Sequence, residues 1–453
     1  MAGPPDATRR RTALAQRAWG RLGVLAQSHV PHPAPVSPLV PNPVPQPPEA
    51  VLDLLRRLGV AMCRAGDPVD RVGLILEDVA LAYDTTGVSF FVLPTGVFVR
   101  VEAGGWSRVD FAPGGGQPLR LDQIDMLYRL IDDIRQGGAT TDEAASRLLA
   151  LEASAPRFGT AVTTLGFGVL TVGLGLMLNP ALTSVPVYFA LGLLVGLLRW
   201  WADRNRVLDL VFPVATSFAI TWVAFELAEP VLDVWPLDIV IPALVTLLPG
   251  AALTVATMEL SVGSMISGAS RLVYGLQRLL LLAFGIAVGV SLAGLPGSSS
   301  DVASPLGAWA PWLGVLVFGV GQYLASSAPR HTLPWLLVVL YVAYAAQAGS
   351  GLLLGSLGAS FVAGAVVLPV AYAVQARRSG PPVPVTFLPA FWLLVPGALG
   401  LQGVTDMIGV DEAAGLGEFL NALLSIVAIA AGVLVGTGVS ERVGRATSTW
   451  RGL

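Results

Sequence analysis

From residue 158 onward the chain is a succession of apolar runs, and the charge between those runs alternates. Apolar segments occupy 160–178, 185–200, 207–226, 237–258, 269–293, 308–326, 333–348, 351–374, 385–405 and 416–437. A helix needs ~20 apolar residues to cross a bilayer. Most of these segments qualify, and 185–200 and 333–348 are short. Arg199, Arg204 and Arg206 follow the second run, Arg271 and Arg278 the fourth, and Arg330 the sixth. Arg377 and Arg378 follow the eighth, and Arg442, Arg445 and Arg451 the tenth. The intervening loops, LNPALTSVP, LAEPVLDVWPLD, LPGSSSDVASPLG, AQAGSG and MIGVDEAAGLGE, contain no Arg. Basic loops stay in the cytoplasm. The expectation is a multi-pass protein of the inner (plasma) membrane with about ten spans and both termini cytoplasmic.

Composition agrees. Charged residues make up 13% of the chain and hydrophobic ones 54%, where soluble domains carry about 25% charged residues. A net charge of −3 gives no footprint for nucleic acid. Lysine is absent, so a GxxxxGK[ST] nucleotide loop cannot occur. One cysteine, Cys63, and three scattered histidines, His29, His32 and His331, build neither a disulfide nor a zinc site. No cofactor or metal is expected.

The first 157 residues differ in character. Residues 1–48 are Arg- and Pro-rich, with SHVPHPAPVSPLVPNPVPQPP where a signal peptide would have its apolar core; they read as a disordered tail. Residues 49–157 read as a small α+β cytosolic domain. EAVLDLLRRLGVAMCRAG is helical, and Asp67 offers an N-cap with Pro68 at the first helical position of DPVDRVGLILEDVALAYD. VSFFVLPTGVFVRVEAGGWSRVDF reads as an antiparallel meander, and two helices around 121–137 and 140–154 close the unit. Membrane modules are expected over 158–296 and 305–440, with a cytosolic tail at 441–453.

A shift of 147 residues lays the membrane region on itself. IPALVTLLPGAAL at 241–253 falls on LPAFWLLVPGALG at 388–400, matching Pro242 with Pro389, Pro249 with Pro396 and Gly250 with Gly397. Glu259 falls on Asp406, Gly285 on Gly432 and Gly289 on Gly436. Five spans per copy is odd, so the copies face opposite ways: two inverted five-helix repeats, with interrupted helices at matching positions, as in secondary transporters. The first turn after each break offers free N–H groups to a substrate carboxylate. The candidate substrate-binding residues are Pro249, Gly250, Ala251, Thr254, Pro396, Gly397 and Ala398. Glu259, Asp406 and Glu226 are the candidate proton-coupling acids. Thr254 and Thr257 either meet a polar substrate or bond back to their own helix. The small-residue runs GFGVLTVGLG and GVLVFGVG pack helices within one chain or between chains of a homo-oligomer.

PGAALTVATMELSVGSMISGASRL resembles the signature of the threonine/serine exporter family, with Pro249, Gly250, Glu259, Gly263, Ser267, Gly268, Arg271 and Leu272 in the family's positions. RAGDPVDRVGLILEDVALAYDTTGVSFFVLPTGVFV is similar to the family's cytosolic domain, and LLVPGALGLQGVTDM resembles its second module. Some members carry Asp in place of Glu259 and a second Asp in place of Ser264. The resemblance implies proton-driven export of small hydroxy amino acids. The competing reading makes the N-terminal domain an enzyme or a sensor on a membrane anchor. Without histidine in 49–157, an enzyme would have to rely on acids such as Asp67, Asp70, Glu77 and Asp78.

Overall fold

The computed structural model describes residues 46–103, 106–204, 206–231, 236–294, 306–377, 379–394 and 412–450. The chain begins with α1 (Pro48–Ala65) and α2 (Val69–Ala82), then the strands β1 (Val88–Leu93), β2 (Gly96–Ala103) and β3 (Trp106–Pro113). The helices α3 (Leu121–Arg135) and α4 (Thr141–Glu152) follow. The strands form the expected meander in the order β1-β2-β3, both pairs antiparallel. Val97, Val99 and Val101 alternate inward with no exposure, and Leu55, Leu58 and Met62 of α1 share their core. Burying such side chains stabilises by about 1.5–3 kcal/mol each. α1 ends at Gly66, whose φ of +87° closes a left-handed cap that a β-carbon would strain.

The remainder is helical: α5 (Thr160–Leu178), α6 (Val185–Ala202), α7 (Arg206–Val231), α8 (Pro236–Leu244), a short 3-10 turn (Val245–Leu247) and α9 (Gly250–Ser261). Then come α10 (Met265–Ala293), α11 (Ala310–Ala325), α12 (Leu333–Gln375), α13 (Val383–Leu394) and α14 (Glu412–Trp450). Among the described residues five helices are long and apolar enough to cross a membrane, and six if the bent pair around residues 248–249 counts as one span. This is a multi-pass membrane protein.

The sequence suggests ten spans, and the difference is one of length and continuity. Val211–Glu226, Ala310–Ala325 and Val383–Leu394 are apolar but short. The runs at 333–348 and 351–374 form one helical stretch, α12, broken at Gly355 (φ 70°, ψ −174°). The break is not at the Gly-Ser-Gly of 349–351, where the sequence suggests a loop. Small residues keep their helical hydrogen bonds in an apolar medium, where nothing else would satisfy the backbone.

Glycines set the closest helix crossings. A β-carbon at Gly166 would meet the Ala325 backbone, one at Gly173 the Phe318 backbone, and one at Gly321 the Leu170 backbone. Contacts that climb one helix while descending the other make α5 and α11 antiparallel. The two small-residue runs therefore pack on each other inside one chain. α7 and α10 meet at Gly285 and Gly289, and α12 and α14 at Gly432 and Gly436; both pairs run parallel.

The 147-residue shift recurs in these elements. α5 ends at Leu178 and α11 at Ala325, 147 residues apart. A β-carbon at Gly285 would meet the Val214 carbonyl oxygen at 2.5 Å and the Phe218 nitrogen at 3.1 Å. One at Gly432 would meet the Phe361 carbonyl oxygen and the Ala365 nitrogen. Each of these partners is also 147 residues from its counterpart.

Candidate functional site

The break between α8 and α9 is a consequence of proline chemistry. Pro249 has no N–H to donate, and its ring forces Leu248 into an extended conformation (ψ 137°). The two helices meet at 56°. α9 then restarts with no side-chain cap, its first closing bond running from the Leu253 N–H to the Pro249 carbonyl at 2.9 Å. The N–H groups of Gly250, Ala251 and Ala252 therefore have no acceptor within the helix. These three residues are half-buried, and a β-carbon on Gly250 would have no neighbour within 4 Å. An uncapped positive helix end thus stands free of described neighbours at Gly250. The Thr254 hydroxyl donates to the Gly250 carbonyl and the Thr257 hydroxyl to the Leu253 carbonyl, both at 3.0 Å, which is back-bonding to their own helix.

Glu259 lies nine residues beyond Gly250, about 14 Å along the helix axis, and has no exposed surface. It meets the N-terminal unit. Its Oε1 accepts the Val69 N–H at 3.0 Å, across 190 residues of chain. The same oxygen lies 3.2 Å from Arg271 Nε, an ion pair without aligned hydrogen-bond geometry. Arg271 Nη2 donates to the Asp67 carbonyl at 3.1 Å. The turn between α9 and α10 closes through Gly263 (φ +89°) and a Ser264 N–H bond to the Glu259 carbonyl at 2.8 Å. Gly268 lets α10 cross α9 closely, since a β-carbon there would lie 2.7 Å from Leu260 and 2.8 Å from the Ala256 carbonyl.

Asp67 sits on the other side of this seam. Its carboxylate accepts the Tyr128 hydroxyl at 2.6 Å and lies 3.8 Å from Arg71, whose guanidinium stands over the Tyr128 ring at 5.5 Å. Burial pushes the Asp67 carboxyl above its ordinary value, against the pull of Arg71, the Tyr128 hydrogen bond and Arg271. Burial, helped by Asp67, likewise holds the Tyr128 phenol well above its usual range. The Ser267 hydroxyl donates to the Val92 carbonyl at 3.4 Å, and the Cys63 thiol to the Leu93 carbonyl at 3.5 Å. Burial lifts that thiol to about 11, with Arg271 opposing and the two acids assisting.

Asp67 is not the N-cap the sequence suggests. Pro68 takes that position, and no side chain of the unit itself caps α2. With its carboxylate committed to Tyr128, the Val69 N–H is satisfied instead by Glu259. Pro249 precedes α9, Gly250, Ala251 and Thr254 lie in its first five residues, and Glu259 lies near its other end. Glu226 lies near the end of α7 and is exposed. Pro396, Gly397, Ala398 and Asp406 fall outside the described residues. Among the described residues no group of three His, Cys, Asp or Glu could hold a metal. Sequence reasoning missed the seam of Asp67, Val69, Tyr128 and Arg271; its only local signal is a Gly-Asp-Pro turn that shares a chain with a buried Glu/Arg pair.

The family model ThrE, described as "Putative threonine/serine exporter", matches residues 53–293, more than half of the chain. The chain belongs to this family. It is also similar to pheromone-regulated membrane protein 10 of Debaryomyces hansenii, 24% identical over 188 residues, covering 41% of this chain and 19% of that protein. The Eremothecium gossypii protein of the same name is 26% identical over 174 residues, covering 37% and 24%. The chain thus matches about a fifth to a quarter of the length of these relatives. No solved structure matches.

Proposed function

We propose that this member of the exporter family carries threonine and serine out of the cytoplasm by proton antiport, through alternating access between two inverted five-span modules. The observation that carries the reading is the first turn of α9, where Gly250 to Ala252 have no acceptor within the helix, no side-chain cap is present and no described atom lies within 4 Å of a β-carbon at Gly250. Three preorganised donors and a positive dipole end suit the carboxylate of a zwitterion. Pro396, Gly397 and Ala398 are their sequence counterparts at the 147-residue shift and are the proposed substrate-binding residues of the second module.

Two features support the inverted repeat. Glycine contacts and the ends of α5 and α11 recur at one shift, and these two helices, which that shift relates, run antiparallel. A repeat about an axis along the membrane normal would leave them parallel. The ten spans then comprise the five long helices with α12 divided at Gly355, the bent pair, and the three shorter apolar helices. In this arrangement the α9–α10 turn, the N-terminal unit of 49–157 and both termini face the cytoplasm.

Glu259 is too far along α9 to touch a substrate bound at Gly250. Its part is the coupling proton, with Asp406 in the matching position and Glu226 as the third acid. Protonation would weaken both its pair with Arg271 and its hold on the Val69 N–H, so one proton bears on both partners.

The test is efflux from proteoliposomes holding purified protein and preloaded with labelled threonine, serine, alanine or leucine, with and without an imposed proton gradient. Saturable, gradient-dependent movement of threonine and serine, abolished in Pro249→Ala/Gly250→Leu and altered in its pH dependence by Glu259→Gln, is the expected result. If no amino acid moves under any gradient, the reading is wrong.

A further inference from the structure

The N-terminal unit does more than sit beside the helices. It hydrogen-bonds some of their buried polar groups and takes a helix cap from them in return. Glu259 caps α2, Arg271 bonds the Asp67 carbonyl, and Ser267 bonds the Val92 carbonyl. On its other flank the unit buries Ala328 and Val385 in its own core. There Arg157, just before α5, bonds the Tyr323 hydroxyl and the Ala328 carbonyl, at 2.6 and 2.8 Å. One unit thus grips the α9–α10 corner and the α11–α12 and α13 region together. Those elements belong to different modules in the account above.

The grip on the corner is under-satisfied. Glu259 Oε2 and Asp67 Oδ2 are both buried, and neither has a hydrogen-bond partner. A seam carrying orphaned carboxylate oxygens is costly to keep closed, since a desolvated acceptor without a donor forfeits its water for nothing. That is what a joint built to part looks like. α9 is also a rigid lever. Its first turn lies at the helix break and its last turn holds Glu259, so displacement at the seam reaches Gly250 with no intervening loop.

We propose that the Gly66–Val69 turn is a latch that clasps the α9–α10 corner shut, that it opens during the transport cycle, and that Asp67 and Tyr128 are positioning residues acting on Glu259 through Arg271. The proposal deepens the exporter reading and rests on it for the word cycle. Closed, the latch holds Arg271 between the Asp67 carbonyl and the Glu259 carboxylate, and bridges the two modules. Opened, it frees Glu259 to exchange its proton and lets α9 tilt. Tyr128 fixes the Asp67 side chain so that the turn's backbone carbonyl stays aimed at Arg271.

Cys63, the chain's one cysteine, lies against this seam and reports on it. Full-length protein in proteoliposomes is treated with N-ethylmaleimide, and labelling of Cys63 is followed by mass spectrometry alongside threonine efflux. Arg271→Gln and Asp67→Ala are expected to raise the labelling rate at least tenfold, and Tyr128→Phe about threefold, with helix content unchanged. Removing the Arg271 charge raises the thiol pKa and slows labelling by itself, so acceleration in Arg271→Gln reports opening; removing the Asp67 charge lowers that pKa, so Asp67→Ala is read against Arg271→Gln. Saturating threonine is expected to change the wild-type rate at least threefold. Tyr128→Phe is expected to alter the pH profile of efflux with little change in the threonine KM.

A second arm does not depend on destabilising variants. In a Cys63→Ala background, Val92→Cys and Ser267→Cys are joined by a short bifunctional maleimide; efflux should fall more than tenfold as the cross-link forms. Full-rate efflux from fully cross-linked protein overturns the latch, as does failure of the cross-link to form. Labelling that ignores all three variants also overturns it, as does labelling that ignores threonine in protein exporting threonine. A seam that responds to Arg271→Gln in a protein that moves no amino acid sinks the exporter reading and leaves the latch standing.

Discussion

A matched pair of glycine substitutions tests the repeat energetically. A β-carbon at Gly285 would lie 2.5 Å from the Val214 carbonyl oxygen, and one at Gly432 would press on the Phe361 carbonyl more closely still. A carbon and an oxygen not bonded to each other need about 3.3 Å or more, so α7 and α10 must part by most of an ångström, and α12 and α14 by at least as much. Overpacking of this kind costs about 1–3 kcal/mol. Alanine's better helix propensity returns about 0.5–1 kcal/mol. The steric effect wins, leaving Gly285→Ala and Gly432→Ala each destabilised by roughly 1–2 kcal/mol. Gly349 and Gly417 are helical with nothing within 4 Å, so Gly349→Ala and Gly417→Ala should be neutral or slightly stabilising. The assay is chemical unfolding of detergent-solubilised protein followed by intrinsic fluorescence. If Gly285→Ala and Gly432→Ala behave like the two controls, the close crossings are wrong. If only one of the pair is destabilising, the equivalence of the two modules is wrong.

Other expectations are smaller in scope. With its thiol at about 11, Cys63 should react with iodoacetamide at a rate that climbs steadily from pH 7 to pH 10; levelling near pH 9, as an ordinary thiol would, contradicts a sealed seam. Thr254→Ala should leave the threonine KM within about twofold, because the hydroxyl is spent on the Gly250 carbonyl, while Ala251→Leu should abolish uptake into the site; transport kinetics decide. Asp67 has a raised folded-state pKa, so its contribution to stability is complete below its unfolded value of about 3.9 and is lost as pH rises through the folded value. Unfolding scans should therefore find the stability of wild type relative to Asp67→Asn falling as pH rises above about 4; a difference that grows with pH would reverse the assigned direction. Gly66→Ala places a β-carbon at φ +87° and should cost about 1–2 kcal/mol, read from the same unfolding curves.

Much of the architecture is written in local pattern. Apolar runs become helices because a backbone away from water must satisfy itself. Pro249 breaks its helix through the geometry that proline imposes on Leu248. The alternating valines of β2 announce a sheet with one buried face. The seam was not legible, because its partners are far apart in sequence and each half looks ordinary alone. Asp67 before a proline reads as an N-cap, and only the presence of Tyr128 above it explains why it caps nothing. Glu259 at a span boundary fits a solvated residue as well as an inward-facing acid, and only the folded N-terminal unit shows it enclosed. The break at Gly355 was missed for a related reason. Several glycines nearby are equally permissive, and nothing in the local sequence sets Gly355 apart from Gly349 and Gly351.

The central claim is that an amino acid binds at the restarted end of a broken helix and at its repeat-related twin. The most direct measurement is equilibrium binding of labelled threonine to purified protein, comparing wild type with Gly250→Leu and with Gly397→Leu. The account predicts saturable binding in wild type and its loss in both variants while the protein stays folded, because a leucine at Gly250 fills the space in front of its uncapped helix end and Gly397 is its proposed counterpart. Threonine binding that survives in folded Gly250→Leu would place the substrate elsewhere and contradict the account.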